Sequence, residues 1–492
     1  MSKESSGSDR EHPESRRSRR EVMKGSVAAA IALRLQPGGL FAPAAAAATP
    51  TVVGAPEDLG EWSAVLPGFF GIIPVHGHVL HTGKILLFHD TEGYLWNPAD
   101  DTAVQKNPGN NLFCAGHTLL ANGDVFCAGG VLGVGSPPLG PRWTWFFRTT
   151  LEKWKRGPDM LQGRYYPTCT TLPQGDVMIT TGTNETGGFN EDVELLTGTT
   201  LSLVSNKRVN LYPHQWVLPD GKVVMTGPRQ RDAAIVDPTT WDWETVPDLL
   251  DNRHDAGGFM KPGGPEGSYT VIRTGGHNNT VEQLDCSTPE AGWTFLSALP
   301  EIRSDMNTTL LPDGTVLGVG GQDKPPKPQA ARLQSLLYTP ATDTWLPVAS
   351  QVMKRAYHSI ALLLPDGRVL STGDNSDGAG QATMEIYSPP YLFRGPRPTI
   401  TKAPASVAPG QLFNVKTPDT IARVVLMRPG SCTHSVNMTQ QHIELAFTMT
   451  ATGLQVTAPP SNNVAPVGRY MLFVLNPDGV PSVARWVQVT AA

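Results

Sequence analysis

Four short segments carry residue types suited to metal or redox chemistry. They are Phe113-Cys114-Ala115-Gly116-His117, Arg164-Tyr165-Tyr166-Pro167-Thr168, Arg355-Ala356-Tyr357-His358-Ser359 and Cys432-Thr433-His434-Ser435-Val436-Asn437. Singly, each has an ordinary explanation. A tyrosine ahead of a strand is commonly an amphipathic edge residue. The chain has 12 histidines, and one in a loop is commonly just solvated. Together the segments supply two tyrosines and two histidines, a coherent donor set for one ion. Imidazole nitrogens with oxygen ligands in a tetragonal arrangement suit Cu(II). Tyr357 and His358 are adjacent, and side chains alternate on a regular strand. Both can face one ion only if the backbone there is a loop or the lead-in to a strand.

The positioning elements follow from a repeat. A lead-in, a turn around Asp-Gly, Asn-Gly or a similar pair, a short apolar strand and then Gly or Gly-Gly recur seven times, with turn glycines at Gly83, Gly123, Gly175, Gly221, Gly267, Gly314 and Gly367. Their separations are 40, 52, 46, 46, 47 and 53 residues. Each copy is a β-hairpin signal: two β-branched-rich runs joined by a tight turn. A second phrase places a tryptophan between copies, at Trp154, Trp243, Trp293 and Trp345. This period, with four short strands per unit, predicts a seven-bladed kelch-type β-propeller over residues 55–390. One such sheet cannot bury both faces alone, so the blades close into a ring. Three of the four segments fall at one phase, the lead-in, where the chain points toward the axis. Beyond the Arg/Pro-rich linker RGPRPT, residues 398–492 alternate short apolar runs, which predicts an immunoglobulin-like β-sandwich. The fold class is therefore all-β, in keeping with 50 Gly and 44 Pro and a charged fraction of 17%.

Ser18-Arg19-Arg20-Glu21-Val22-Met23-Lys24, a short apolar stretch and an alanine run suggest a twin-arginine-type export signal over residues 1–48, and so a periplasmic or extracellular protein. The apolar stretch is too short for a membrane span. A net charge of −5 gives no reason to expect nucleic acid as a partner. Five cysteines, an odd number with no C-x-x-C pair, argue against structural zinc and leave at least one thiol unpaired or otherwise committed. Cys127 and Cys169 sit in strand patterns and read as small core residues. A disulfide among the others stays open.

With FCxGH, RxYPT, YHSIALLLPDGRV, the S-P-P-Y-L junction and THSVN in this order, the chain resembles the copper radical oxidases, the galactose oxidase and glyoxal oxidase group, over nearly all of its length after the signal. The resemblance implies one copper ion held by Tyr166, Tyr357, His358 and His434. It implies a thioether between Cys114 and Tyr166 that carries a radical, with Tyr357 as general base. Tyr166 rather than Tyr165 lies at the family's distance before the turn. The implied reaction oxidises a small aldehyde of the glyoxal or glycolaldehyde type, or a primary alcohol, with O2 and yields H2O2. A galactose oxidase-like action on carbohydrate alcohols is the alternative. The sequence departs from galactose oxidase where that enzyme shields its thioether with tryptophan: Asn184 stands there, and Trp216 is the candidate replacement. The first repeat begins soon after the signal, which leaves no room for an N-terminal sugar-binding domain and favours the small aldehyde. A monomer is expected. Two other classes compete. A non-catalytic kelch binding protein would not need the five site residues together. A sialidase-type hydrolase would need an arginine triad with a Tyr/Glu pair, a grouping absent from the blades.

Overall fold

The computed structural model describes residues 54–68, 71–133, 138–227, 231–323, 331–376 and 380–492. The export-type segment at residues 1–48 lies outside them. The fold is a seven-bladed propeller followed by a β-sandwich. Among the described residues, helix is confined to Pro56–Leu59 and the 3-10 turns Pro289–Ala291 and Pro390–Phe393.

Each blade has four antiparallel strands, which in blades 1 to 6 run outward from the axis in chain order. The innermost strands of blades 1 to 7 are His76–Val79, Gly116–Leu119, Thr168–Thr171, His214–Val217, Gly257–Met260, Asn307–Leu310 and Ser359–Leu363. The repeated glycine closes the turn after each of them. Its N–H bonds the carbonyl three residues back, as in Gly83 to Leu80 at 2.9 Å, Gly123 to Leu120 at 2.9 Å and Gly367 to Leu364 at 2.9 Å. The seven glycines have φ between 81° and 98°, a region closed to most side chains. Hence the glycine recurs while the residues around it vary. A tryptophan on the outer strand ties each of several blades to the one before. Trp154 Nε1 donates to Lys106 O at 2.8 Å, Trp243 Nε1 to Ser205 Oγ at 3.2 Å and Trp293 Nε1 to Pro247 O at 3.0 Å.

The ring is closed by the start of the described chain. Glu61–Trp62 pairs with Met384–Ser388 as the outer strand of blade 7, and Trp62 Nε1 donates to Ala349 O of blade 6 at 3.0 Å. Sequence alone did not anticipate this strand, because its pairing partner lies more than 320 residues away.

The C-terminal domain stacks one sheet of five strands on one of three. Strand Gly468–Leu475 is buried from Tyr470 onward because both faces are covered there. Tyr470, Leu472 and Val474 fill the sandwich, while Met471, Phe473 and Leu475 pack with propeller residues such as Leu311 and Tyr391. The domain sits on the turn face of the ring. A Cβ added at Gly123, Gly175, Gly221 or Gly267 would approach within 4 Å of Arg469, Val467, Asn463 or Val464. From this face a hairpin, Ser431–Thr433 and Val436–Asn437, enters the axis and pairs with His76–Val79 of blade 1. Gln440 then bonds the inner strand of blade 6, from Leu310 N at 2.9 Å and to Thr308 O at 2.8 Å. The hairpin thus satisfies inner-strand groups that an empty channel would leave unpaired.

At the opposite end of the inner strands, buried arginines anchor the lead-ins. Arg164 pairs with Glu194 at 2.8 Å and donates to Thr181 O at 2.7 Å. Arg355 pairs with Glu385 at 3.5 Å and donates to Gly373 O at 3.0 Å. All four side chains are fully buried. Removing one partner of such a pair leaves an uncompensated charge. We therefore expect Glu194→Leu to cost about 3–5 kcal/mol of unfolding free energy and Arg164→Met/Glu194→Leu much less, as measured by denaturant titration.

Candidate metal centre

The lead-ins bring the expected residues together. Cys114 opens blade 2, Tyr166 blade 3, and Tyr357 and His358 blade 7, while His434 occupies the tip of the axial hairpin. Tyr166 Oη lies 2.5 Å from Tyr357 Oη. Cys114 Sγ lies 3.4 Å from His434 Nε2. The ligand atoms of Cys114, His358 and His434 all lie within 4.8 Å of one another. The rings of His358 and His434 meet edge-on at 4.3 Å, and those of Tyr166 and His434 at 5.4 Å. Residues separated by up to 320 positions in the chain thus share one pocket.

The backbone is held in an uncommon conformation to do this. Cys114, Tyr166, His358 and His434 have φ of 59°, 63°, 68° and 50°. Left-handed backbone at a non-glycine residue costs on the order of 1–3 kcal/mol and persists only where the surroundings enforce it. Arg164 and Arg355 provide that enforcement two residues before Tyr166 and Tyr357. The left-handed kink at His358 also lets Tyr357 and His358, neighbours in sequence, aim into the same pocket, with ring centroids 3.8 Å apart.

Both histidines are oriented from behind. His358 Nδ1 donates to Asn375 Oδ1 at 2.6 Å, which leaves the lone pair on Nε2. His434 Nδ1 meets Thr433 Oγ1 at 2.6 Å, so its Nε2 faces Cys114. Such a partner on the far nitrogen is what fixes ring orientation in metal-binding histidines.

Two tyrosines missed by the sequence reading complete the pocket. Tyr165 stacks on Tyr166 at 4.2 Å and 27°. Tyr212, at the blade 4 lead-in and also left-handed at φ 51°, lies 4.5 Å from Tyr166 and 4.9 Å from His434, and its hydroxyl donates to Ala115 O at 2.9 Å. Burial pushes both phenols well above the ordinary tyrosine range, so both stay protonated. Tyr212 occupies the repeat phase of Cys114 and Tyr166, two residues before its inner strand, and that phase was the available signal. The expectation for Trp216 is corrected. It packs between blades 4 and 5 with Val224, Met260 and Val271, away from Tyr166. It lies on an inner strand, one residue past the reach of the lead-in, and faces the next blade. Asn184 caps its own turn, accepting from Thr186 N at 3.1 Å and Gly188 N at 2.9 Å. All five cysteines are buried and none is in a disulfide, so the open question of a disulfide is answered in the negative.

The Tyr/His/Cys cluster thus lies at one end of the axis of a seven-bladed ring, opposite the face that carries the C-terminal sandwich. Residues 397–489 match the family model described as galactose oxidase-like, early set domain. A galactose oxidase from Gibberella zeae is 27% identical over 88% of this chain and 71% of its own length. An aldehyde oxidase from Arabidopsis thaliana is 26% identical over 77% of this chain and 71% of its own. A fungal alcohol oxidase of the AA5 family, solved in complex with copper, superposes with a TM-score of 0.78 at 23% identity, covering 88% of this chain and all of its own. The early-set match and these relatives support kinship of the chain with the copper radical oxidases.

The tautomer assignment is testable without any metal. In histidine-labelled protein, 15N NMR should show His358 protonated at Nδ1. In Asn375→Leu that preference should be lost, while the signals of the distant His442 stay unchanged.

Proposed function

We propose that Tyr166, Tyr357, His358 and His434 hold one copper ion and that Cys114 is joined to Tyr166 by a thioether, forming a centre that oxidises small aldehydes or primary alcohols with O2. The observation that carries this reading is the 2.5 Å approach of the Tyr166 and Tyr357 hydroxyls beside two oriented imidazoles. Two imidazole nitrogens and two phenol oxygens are a donor set suited to Cu(II). A bound copper ion supplies one of the two electron vacancies that the reaction needs.

The remaining chemistry belongs to the chain. Oxidation of an alcohol or an aldehyde hydrate removes two electrons and two protons, which O2 accepts as H2O2. The Tyr166 ring, once oxidised to its radical, abstracts the substrate C–H hydrogen. The thioether sulfur delocalises that radical and lowers its potential. The Tyr357 oxygen accepts the substrate O–H proton, because a group held by a metal cation becomes easier to ionise and serves as a base near neutral pH. Tyr165 covers one face of the Tyr166 ring and keeps water from it. Neutral Tyr212 packs beside the tip of the hairpin and holds His434 against the pocket.

The glyoxal or glycolaldehyde type is the leading substrate class, supported by the aldehyde oxidase relatives. A carbohydrate alcohol is the second reading, supported by the galactose oxidase relatives. A panel of aldehydes and alcohols, scored by H2O2 release, separates the two. Export by the twin-arginine-type segment belongs to the same reading and fits a centre assembled in an already folded chain.

Copper-loaded, aerated protein should be lighter by the mass of two hydrogen atoms. A peptide map under reducing conditions should find the Cys114 and Tyr166 segments still joined, where a disulfide would have parted. Cys114→Ser should bind copper as the parent does but lose nearly all turnover, about 10²-fold or more, on the scale of losing a group that acts in the transition state. Full activity in Cys114→Ser would remove the radical from the account and leave the metal assignment standing. His434→Ala should lose copper affinity by at least about tenfold, the scale set by perturbing a ligand shell, as measured by competition with a colorimetric chelator.

A further inference from the structure

Three blades share one device on their inner end, and one of the three is out of charge balance. In blade 3 the Arg164–Glu194 pair stands opposite Ile179, and in blade 7 the Arg355–Glu385 pair stands opposite Ser371. In blade 5 the corresponding pair is Arg253–Glu282, and the residue across the ladder from Glu282 is Arg273. Both carboxylate oxygens of Glu282 are already engaged, one by Arg253 Nε and the other by Leu250 N at 2.7 Å. Two buried guanidinium groups therefore share one carboxylate, leaving a net positive charge.

Arg273 is fully buried. Its contacts with protein are two long ones from Nη2, to Gly227 O and to Ala256 O, both at 3.4 Å. Its Nε and Nη1 have no partner among the described residues. It reaches across Gly258, where a Cβ would come within 2.8 Å of Nη1, so the glycine keeps the path open. Arg273 and Val271 share the face of blade 5 that meets blade 4. Opposite them, His214 and Thr226 form a register pair on blade 4, on the same face as Trp216 and Val224. His214 is fully buried with both ring nitrogens unpartnered, and the fully buried Thr226 Oγ1 is unpartnered as well. Burial and the nearby Arg273 charge hold His214 well below the ordinary histidine range, so it is neutral and offers one N–H. The guanidinium, the imidazole N–H and the threonine hydroxyl can all donate. Among the described residues, Glu282 is the only carboxylate that acts on Arg273, and both its oxygens are taken.

Buried charges in proteins are paired, and buried donors are satisfied. We infer that the interface between blades 4 and 5 binds a small monovalent inorganic anion of the halide class, held by Arg273, His214 and Thr226. Water would satisfy the donors but not the charge. The site is distinct from the tyrosine cluster and does not depend on the redox reading. It neutralises the second arginine and ties blade 4, whose lead-in carries Tyr212, to blade 5.

The test uses the full chain and bromide as probe. Crystals soaked in sodium bromide should give an anomalous peak between the Arg273 guanidinium, His214 and Thr226, absent in Arg273→Met. In solution, the melting temperature of the parent should rise with the logarithm of bromide or chloride concentration relative to gluconate at equal ionic strength, as mass action requires. Arg273→Met should lack this increment. An anomalous map with no peak at this position, or an equal halide response in parent and variant, overturns the inference. Where Arg273→Met does not fold, the map of the parent decides alone.

Discussion

The structure depends on one insertion: a hairpin from the C-terminal domain occupies the axis of the ring. Seven inner strands that splay around an axis leave backbone groups facing a channel, and such groups need partners. Ser431–Thr433 meets this need on blade 1, and Gln440 on blade 6. The same pairing fixes where His434 arrives, at the far end of the channel beside Cys114, Tyr166, Tyr357 and His358. Stability and site assembly are thus one event. The propeller cannot complete the cluster without the second domain, and the second domain has nowhere else to send its hairpin while its Met471 and Phe473 are packed on the turn face.

The lead-ins add the second constraint. They must reverse from a blade's outer edge to its inner strand in a few residues, and a left-handed residue makes that turn. Where the left-handed residue is Cys114, Tyr166 or His358, the turn also aims a side chain of the cluster at the axis. The strain is offset by buried arginines that tie the lead-in to carbonyls and to a glutamate of the same blade. One repeat-level device therefore serves closure in some blades and builds the pocket in others. Blade 5 shows what happens when it is modified: an extra arginine changes the charge of the interface.

Much of this was legible in the sequence because it is local. Turns built on a glycine announce themselves by the φ they require, and seven of them, four as Asp-Gly or Asn-Gly, at a spacing of 40 to 53 residues give the ring. The lead-in phase then picked out the segments that hold Cys114, Tyr166, Tyr357 and His358, and the family resemblance singled out these side chains within them and His434. What stayed hidden is set by contacts across the ring. The pairing of Glu61–Trp62 with blade 7 has no local signal. Tyr165 and Tyr212 read as strand-edge residues until the blades are placed around the axis. Trp216 looked available because composition tells which side chains exist, not which face of a strand they take. The copper reading itself rests on residue chemistry and family kinship, and it is supported by how closely the two hydroxyls and two imidazoles approach.

The central claim is that four side chains from blade 3, blade 7 and the axial hairpin hold one copper ion beside a sulfur-linked tyrosine. Anomalous diffraction at the copper edge from copper-loaded crystals tests it most directly. The account predicts a single strong peak enclosed by Tyr166 Oη, Tyr357 Oη, His358 Nε2 and His434 Nε2, with continuous density between Cys114 Sγ and the Tyr166 ring. A peak elsewhere in the molecule, or copper bound without His434, would contradict it.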